Sequence, residues 1–126
     1  MSNLSAAWLP KFKTVTLSGM SGNSVTTGTS FIPAGSLVLG IATRVLTNVT
    51  GPTSFLIGDG TTNNRFGNLI GLAAGTTTTY ANWVTLALPV YTAATAVVLT
   101  RGSATNFSGG SVKVCVWYVQ CTAPSS

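Results

Sequence analysis

Asp59 is the one acidic side chain among 126 residues, and the chain has no histidine. General acid–base, nucleophilic and metal chemistry all draw on those groups. Glycoside hydrolysis uses two carboxylates across the scissile bond, and here no pair exists. A serine or cysteine nucleophile needs a neighbouring base to take its proton, and no imidazole is available. One carboxylate and two thiols do not fill an ordinary zinc or calcium shell. The composition therefore predicts a protein that is not an enzyme and holds no metal and no cofactor.

The remaining reactive groups have plainer readings. Gly58-Asp59-Gly60 reads as a tight turn, in which Asp and Gly supply the required dihedrals. Asp59 is expected to pair with Arg65 or Arg44, fixing a loop and adding little net stability if exposed. Cys115 and Cys121 would share one face of a continuous strand about 20 Å apart, at ~3.3 Å per residue. That exceeds disulfide reach, so both read as buried, inert thiols. Lys11, Lys13, Arg44, Arg65, Arg101 and Lys113 give a net charge of +5 but form no run. Nucleic-acid binding needs a concentrated basic face, so none is expected, whereas an acidic partner surface would suit the charge balance. Trp8, Trp83 and Trp117 could stack bases or sugars, but Trp83 and Trp117 lie in strand patterns and read as core or interface. Thr76–Thr79 reads as a solvated hairpin end rather than a glycan-contacting loop.

The elements that would position these groups are strands. Charged residues are only 6% of the chain, while 45% is hydrophobic. That balance favours a compact fold over disorder. Thr, Val and aromatic residues favour strands, and Gly, Asn and Pro favour turns. Alternation and turn punctuation mark strands at Lys13–Ser18, Ser24–Ser30, Ser36–Thr47, Thr53–Ile57, Phe66–Leu72, Tyr80–Val90, Thr95–Arg101 and Ser111–Cys121. No apolar run approaches the roughly 18 residues of a membrane helix, and Met1–Pro10 lacks the pattern of a secretory leader. The expected fold is all-β: an antiparallel β-sandwich or jelly roll of about eight strands over residues 13–126, preceded by a short N-terminal arm, residues 1–12.

Ser111–Cys121 carries the strongest functional hint. Val112, Val114, Val116 and Tyr118 form one face, and Lys113, Cys115, Trp117 and Val119 the other. A solvated sandwich strand has one apolar and one polar face; here both are largely apolar. So few charges also leave a thin polar coat for a free monomer. Both features predict burial against neighbours in a permanent assembly.

A sequence pattern points the same way. It begins at Ile32-Pro33-Ala34-Gly35-Ser36-Leu37-Val38-Leu39-Gly40 and continues through Arg44-Val45, Thr50-Gly51-Pro52-Thr53-Ser54-Phe55, Gly58-Asp59 and Arg65-Phe66-Gly67. It closes with Tyr91-Thr92-Ala93-Ala94-Thr95, Leu99-Thr100 and Asn106-Phe107-Ser108-Gly109-Gly110-Ser111-Val112-Lys113. This resembles a β-rich module of tailed bacteriophages and prophages, the C-terminal part of DUF2793-type tail-associated proteins. The chain departs from that group at Trp117, where a His is common, and at Pro52, where Ala is common. It also lacks the long N-terminal portion.

The resemblance implies a structural protein of the virion and no catalytic residue. A small β-domain with an arm looks like a capsid cement or decoration protein, made in the host cytoplasm. It would form a homotrimer and bind the major capsid protein or other virion proteins, with no nucleic acid and no membrane involved. Phe66, Trp117 and Val119 are the expected oligomer-interface residues, and Trp8 and Phe12 the expected docking residues of the arm. The alternative is a tail fibre, tailspike or baseplate component that contacts the host receptor.

Overall fold

The computed structural model describes residues 10–84 and 87–120. Nine strands are present among them: β1 Lys11–Ser18, β2 Ser24–Thr26, β3 Ser36–Thr50, β4 Phe55–Gly58, β5 Gly67–Ile70, β6 Thr77–Thr78, β7 Val90–Tyr91, β8 Val98–Arg101 and β9 Gly109–Gln120. The first sheet runs β1-β9-β3-β6, with β7 also paired to β3. The second runs β2-β8-β4-β5. All strand pairs are antiparallel.

The chain repeatedly crosses between the sheets: β1 lies in the first, β2 in the second, β3 in the first, β4 and β5 in the second, and so on to β9. This wrapping is the jelly-roll solution to packing two antiparallel sheets. It settles the choice left open between a simple sandwich and a jelly roll.

The 15-residue β3 and 12-residue β9 form the spine of the first sheet. Residues of opposite faces alternate along a strand, and β9 obeys this throughout. Val112, Val114, Val116 and Tyr118 point into the core and are at most 5% exposed. From the facing sheet come Phe55, Ile57 and Leu99, all without accessible surface. Apolar area removed from water between the two sheets is the main stabilising contribution.

Strand β3 departs from the single alternation read from sequence. The register with β9 runs Val38↔Tyr118 and then Gly40↔Trp117, so Leu39 is an extra residue. A bulge of this kind switches the inward face. Ser36 and Val38 point inward before it, and Ile41, Thr43 and Val45 after it. Leu37 and Leu39 therefore do not share the inward face of Ile41 and Val45, as an unbroken alternation would require. Buried Thr43 is satisfied by Thr78 on β6, with hydroxyls 2.7 Å apart.

The other boundary corrections have local causes. Tyr80–Val90 is not a strand: Tyr80–Asn82 form a 3₁₀ turn, and pairing resumes at Val90. Asn82 Oδ1 accepts the Thr79 N–H at 2.8 Å, while the Thr79 hydroxyl accepts from Ala81 N–H. This reciprocal cap stabilises the turn start. Ser24–Ser30 shortens to Ser24–Thr26, followed by a turn at Gly28 with φ +98°. Lys11 and Phe12 belong to β1, paired with Tyr118 and Trp117, and so are not arm residues. Gly51 shows why the turn after β3 needs glycine: its φ is +112°, and a Cβ there would collide with the Asn106 carbonyl.

Candidate functional site

The Asp59 cluster sits in the loop after β4. Oδ1 accepts the N–H groups of Thr61 and Thr62 at 3.0 and 2.8 Å. Oδ2 accepts Arg65 Nε at 2.8 Å and the Tyr91 hydroxyl at 2.7 Å. Of the two partners expected for Asp59, the structure selects Arg65. Burial by itself pushes the Asp59 carboxyl up. The Thr62 and Thr61 N–H groups, the Tyr91 hydroxyl and the Arg65 guanidinium outweigh it and hold the carboxyl below its ordinary value. Burial, and then the bond to Asp59, push the Tyr91 phenol upward. A carboxylate with four donors in place is a structural tie. Here it fastens the β4–β5 loop of one sheet to β7 of the other.

Cys115 is a free thiol on the outward side of β9. Burial raises its pKa, with Lys113 pulling the other way. A raised pKa suppresses the nucleophilic thiolate. Cys121 lies outside the described residues. Among the described residues, no group of three His, Cys, Asp or Glu side chains converges to hold a metal.

The outer face of the first sheet is the more informative surface. Cross-strand register arranges it in rows. Leu37 stands opposite Val119. Phe12, Trp117 and Gly40 form the next row, then Thr14, Cys115 and Ala42, then Thr16, Lys113 and Arg44. Phe12 and Trp117 are 67% and 41% exposed, with ring centroids 6.5 Å apart. Beyond Trp117 a groove of about 410 Å³ is lined by Leu39, Gly40, Ile41, Ala42, Thr79, Tyr80 and Trp117. No charged side chain lines it.

The expected interface residues separate in space. Trp117 and Val119 lie on this outer face, joined by Phe12. Phe66 does not. It has no accessible surface and packs edge-on against Trp83, with centroids 4.9 Å apart. Its interface assignment is corrected: a side chain filling the core has no surface to offer a partner. Trp8 lies outside the described residues. Sequence reasoning missed Tyr80, which the strand reading of Tyr80–Val90 concealed; its signal was the capping pattern Thr79 to Asn82. It also missed that Arg44 and Lys113 stand side by side, a product of β3–β9 register.

No protein-family model matches the chain, and no curated protein matches it; the DUF2793-type resemblance is not shown. Solved structures do match. The chain is similar to one in the cyanophage Pam1 capsid asymmetric unit, with a TM-score of 0.57 and 22% identity, covering 90% of this chain and 84% of that one. Solved phage capsids contain this fold. A second similar chain belongs to the acidic stable capsid structure of Helicobacter pylori bacteriophage KHP30, with a TM-score of 0.57, 18% identity and 90% coverage of both chains. At these identities the likeness is one of fold.

Proposed function

We propose that this chain is a non-enzymatic structural protein of a bacteriophage particle, seated on the capsid as a cement or decoration protein. The observation that carries this reading is the match, over most of both chains, to chains of two phage capsids. Coverage is high in both directions, so the partners in each match are small β-domains like this one rather than parts of a much larger chain.

The surface supports the same reading. Trp117 and Tyr80 line an uncharged groove on one face of the first sheet, and Phe12 and Val119 lie on the same face. Interface centres are depleted in charge and enriched in aromatic side chains. The Asp59 carboxylate is fully engaged, which favours a structural role over a chemical one. In this reading the protein acts as a homo-oligomer, a trimer by the sequence expectation, so that individually weak contacts across capsomer boundaries add up.

Counting copies tests the proposal. Purified virions should carry on the order of hundreds of copies per particle, each contact contributing modestly, and particles lacking the protein should lose their contents at lower temperature. A few to a few dozen copies would move the protein to the tail and favour the receptor-contact alternative. Absence from purified particles overturns the reading.

A further inference from the structure

We propose that the outer face of the first sheet docks on an acidic, partly apolar surface of a different protein, and not on a second copy of this chain. This deepens the reading of the chain as a particle protein, rests on it, and moves Trp117 and Val119 from the expected contact between copies to the contact with that partner.

The argument starts from an unfavourable pair. Arg44 on β3 and Lys113 on β9 are direct cross-strand neighbours. Both are exposed, because Thr43, Val45, Val112 and Val114 on either side of them point inward. Like charges placed opposite each other on a sheet repel. Neither cation makes a hydrogen bond or ion pair among the described residues. Three of the other four basic side chains are held: Arg65 by Asp59, Arg101 by the Ala104 carbonyl and Asn106, and Lys13 by the Ser30 carbonyl; Lys11, at the start of β1, stands apart from the pair. The outward pair thus stands unneutralised at one end of the apolar rows of Trp117 and Phe12.

No acidic side chain is left over to supply the counter-charge. Its one acidic side chain, Asp59, is 3% exposed and already bonded to Arg65. Two copies meeting through this face would set cations against cations in one strand orientation and against the uncharged Leu37 and Val119 end in the other, with no carboxylate side chain between them in either. Like-charge juxtaposition of that kind suppresses association. A partner bearing carboxylates opposite Arg44 and Lys113, and apolar groups opposite Trp117 and Phe12, satisfies both zones. Interfaces of this type combine an aromatic centre with arginine contacts. Nucleic acid fits less well: tracking a phosphate backbone takes a basic stripe, whereas this face offers one cationic row beside uncharged ones.

The test uses particles produced without this chain, to which purified full-length protein is added back. Wild type and the charge-keeping pair Arg44→Lys/Lys113→Arg should bind, with binding weakened by raised salt as exposed charges are screened. The pair Arg44→Gln/Lys113→Gln should bind about tenfold more weakly and lose most of its salt dependence. Sedimentation of all three proteins alone should be identical. Wild-type binding matched by the Gln pair overturns the inference and leaves the particle reading intact. So does a change in sedimentation, which would make this face a contact between copies, or release of bound protein by nuclease, which would make nucleic acid the partner. Failure of wild type to bind, with the chain also absent from native virions, overturns the particle reading and the inference together.

Discussion

The Tyr91 hydroxyl donates to Asp59 Oδ2 across 2.7 Å, and this bond joins the two sheets of the jelly roll. Tyr91 lies on β7, paired with β3 of the first sheet, and Asp59 follows β4 of the second. Hydrogen bonds to ionised partners contribute about 1.5–3 kcal/mol. Tyr91→Phe keeps the ring and removes the donor. It should lower folding stability by about 1–2 kcal/mol, since Tyr91 is only half-buried. Chemical denaturation of the two proteins measures this; equal midpoints and slopes would show that the bond contributes nothing.

The same pair sets the pH limits of the fold. The Asp59 carboxyl lies below its ordinary value of 3.8 in the folded state. Its contribution is therefore complete above that value and is lost as pH falls through the folded pKa. The Tyr91 phenol lies above its ordinary value of 10.0 when folded, so its contribution is complete below that value and is lost as pH rises past it. No histidine and no second acidic side chain intervene. The Cys115 thiol, raised by burial from 9.0, joins Tyr91 on the alkaline side, so melting temperature should be level from about pH 5 to pH 8 and fall only outside that window. Asp59→Asn should lie lower throughout the plateau and lose most of the acid limb. A marked change of wild-type stability between pH 5.5 and 7.5 would contradict this account.

Phe66 and Trp117 are both aromatic, and their mutants should behave oppositely. Phe66 fills the core, so Phe66→Ala removes buried area and leaves a cavity, at a cost of about 3–5 kcal/mol. Trp117 is 41% exposed on the outer face. Trp117→Ala should cost the isolated protein less than about 1.5 kcal/mol while weakening attachment to the particle. Denaturation curves read beside particle binding separate the two effects.

Leu69 is the one non-glycine residue with positive φ among the described residues, at 52°. Its side chain is 63% exposed, so little packing depends on it. The left-handed region costs an L-residue about 1–2 kcal/mol. Leu69→Gly should raise stability by up to about 1 kcal/mol, the gain being reduced by glycine's greater unfolded-state freedom. A lower melting temperature would mean that Leu69 contributes a contact larger than its strain.

Local rules carry far in this chain. The faces of β9 followed from its own alternation, and the shortage of charged groups narrowed the partner of Asp59 to Arg65 or Arg44, between which the fold selected Arg65. The end of alternation in β3 did not follow. Leu39 is a bulge residue only because Val38 and Gly40 face consecutive residues of a strand some 80 positions away. The 3₁₀ turn at Tyr80–Asn82 was hidden because Trp83 and Val84 continue a strand-like run, and the cap at Thr79 overrides it locally.

Composition alone determined that the protein is β-rich, short of catalytic groups and dependent on turns, because those properties reside in residue types and in spacings of two. Tertiary structure decided which apolar side chains are core and which are surface. It put Phe66 against Trp83, left Trp117 beside Phe12, and brought Arg44 next to Lys113. The physical reason is register. Strand pairing links residues distant in the chain, and one bulge or one crossover moves a side chain from the space between the sheets to the face that meets a partner.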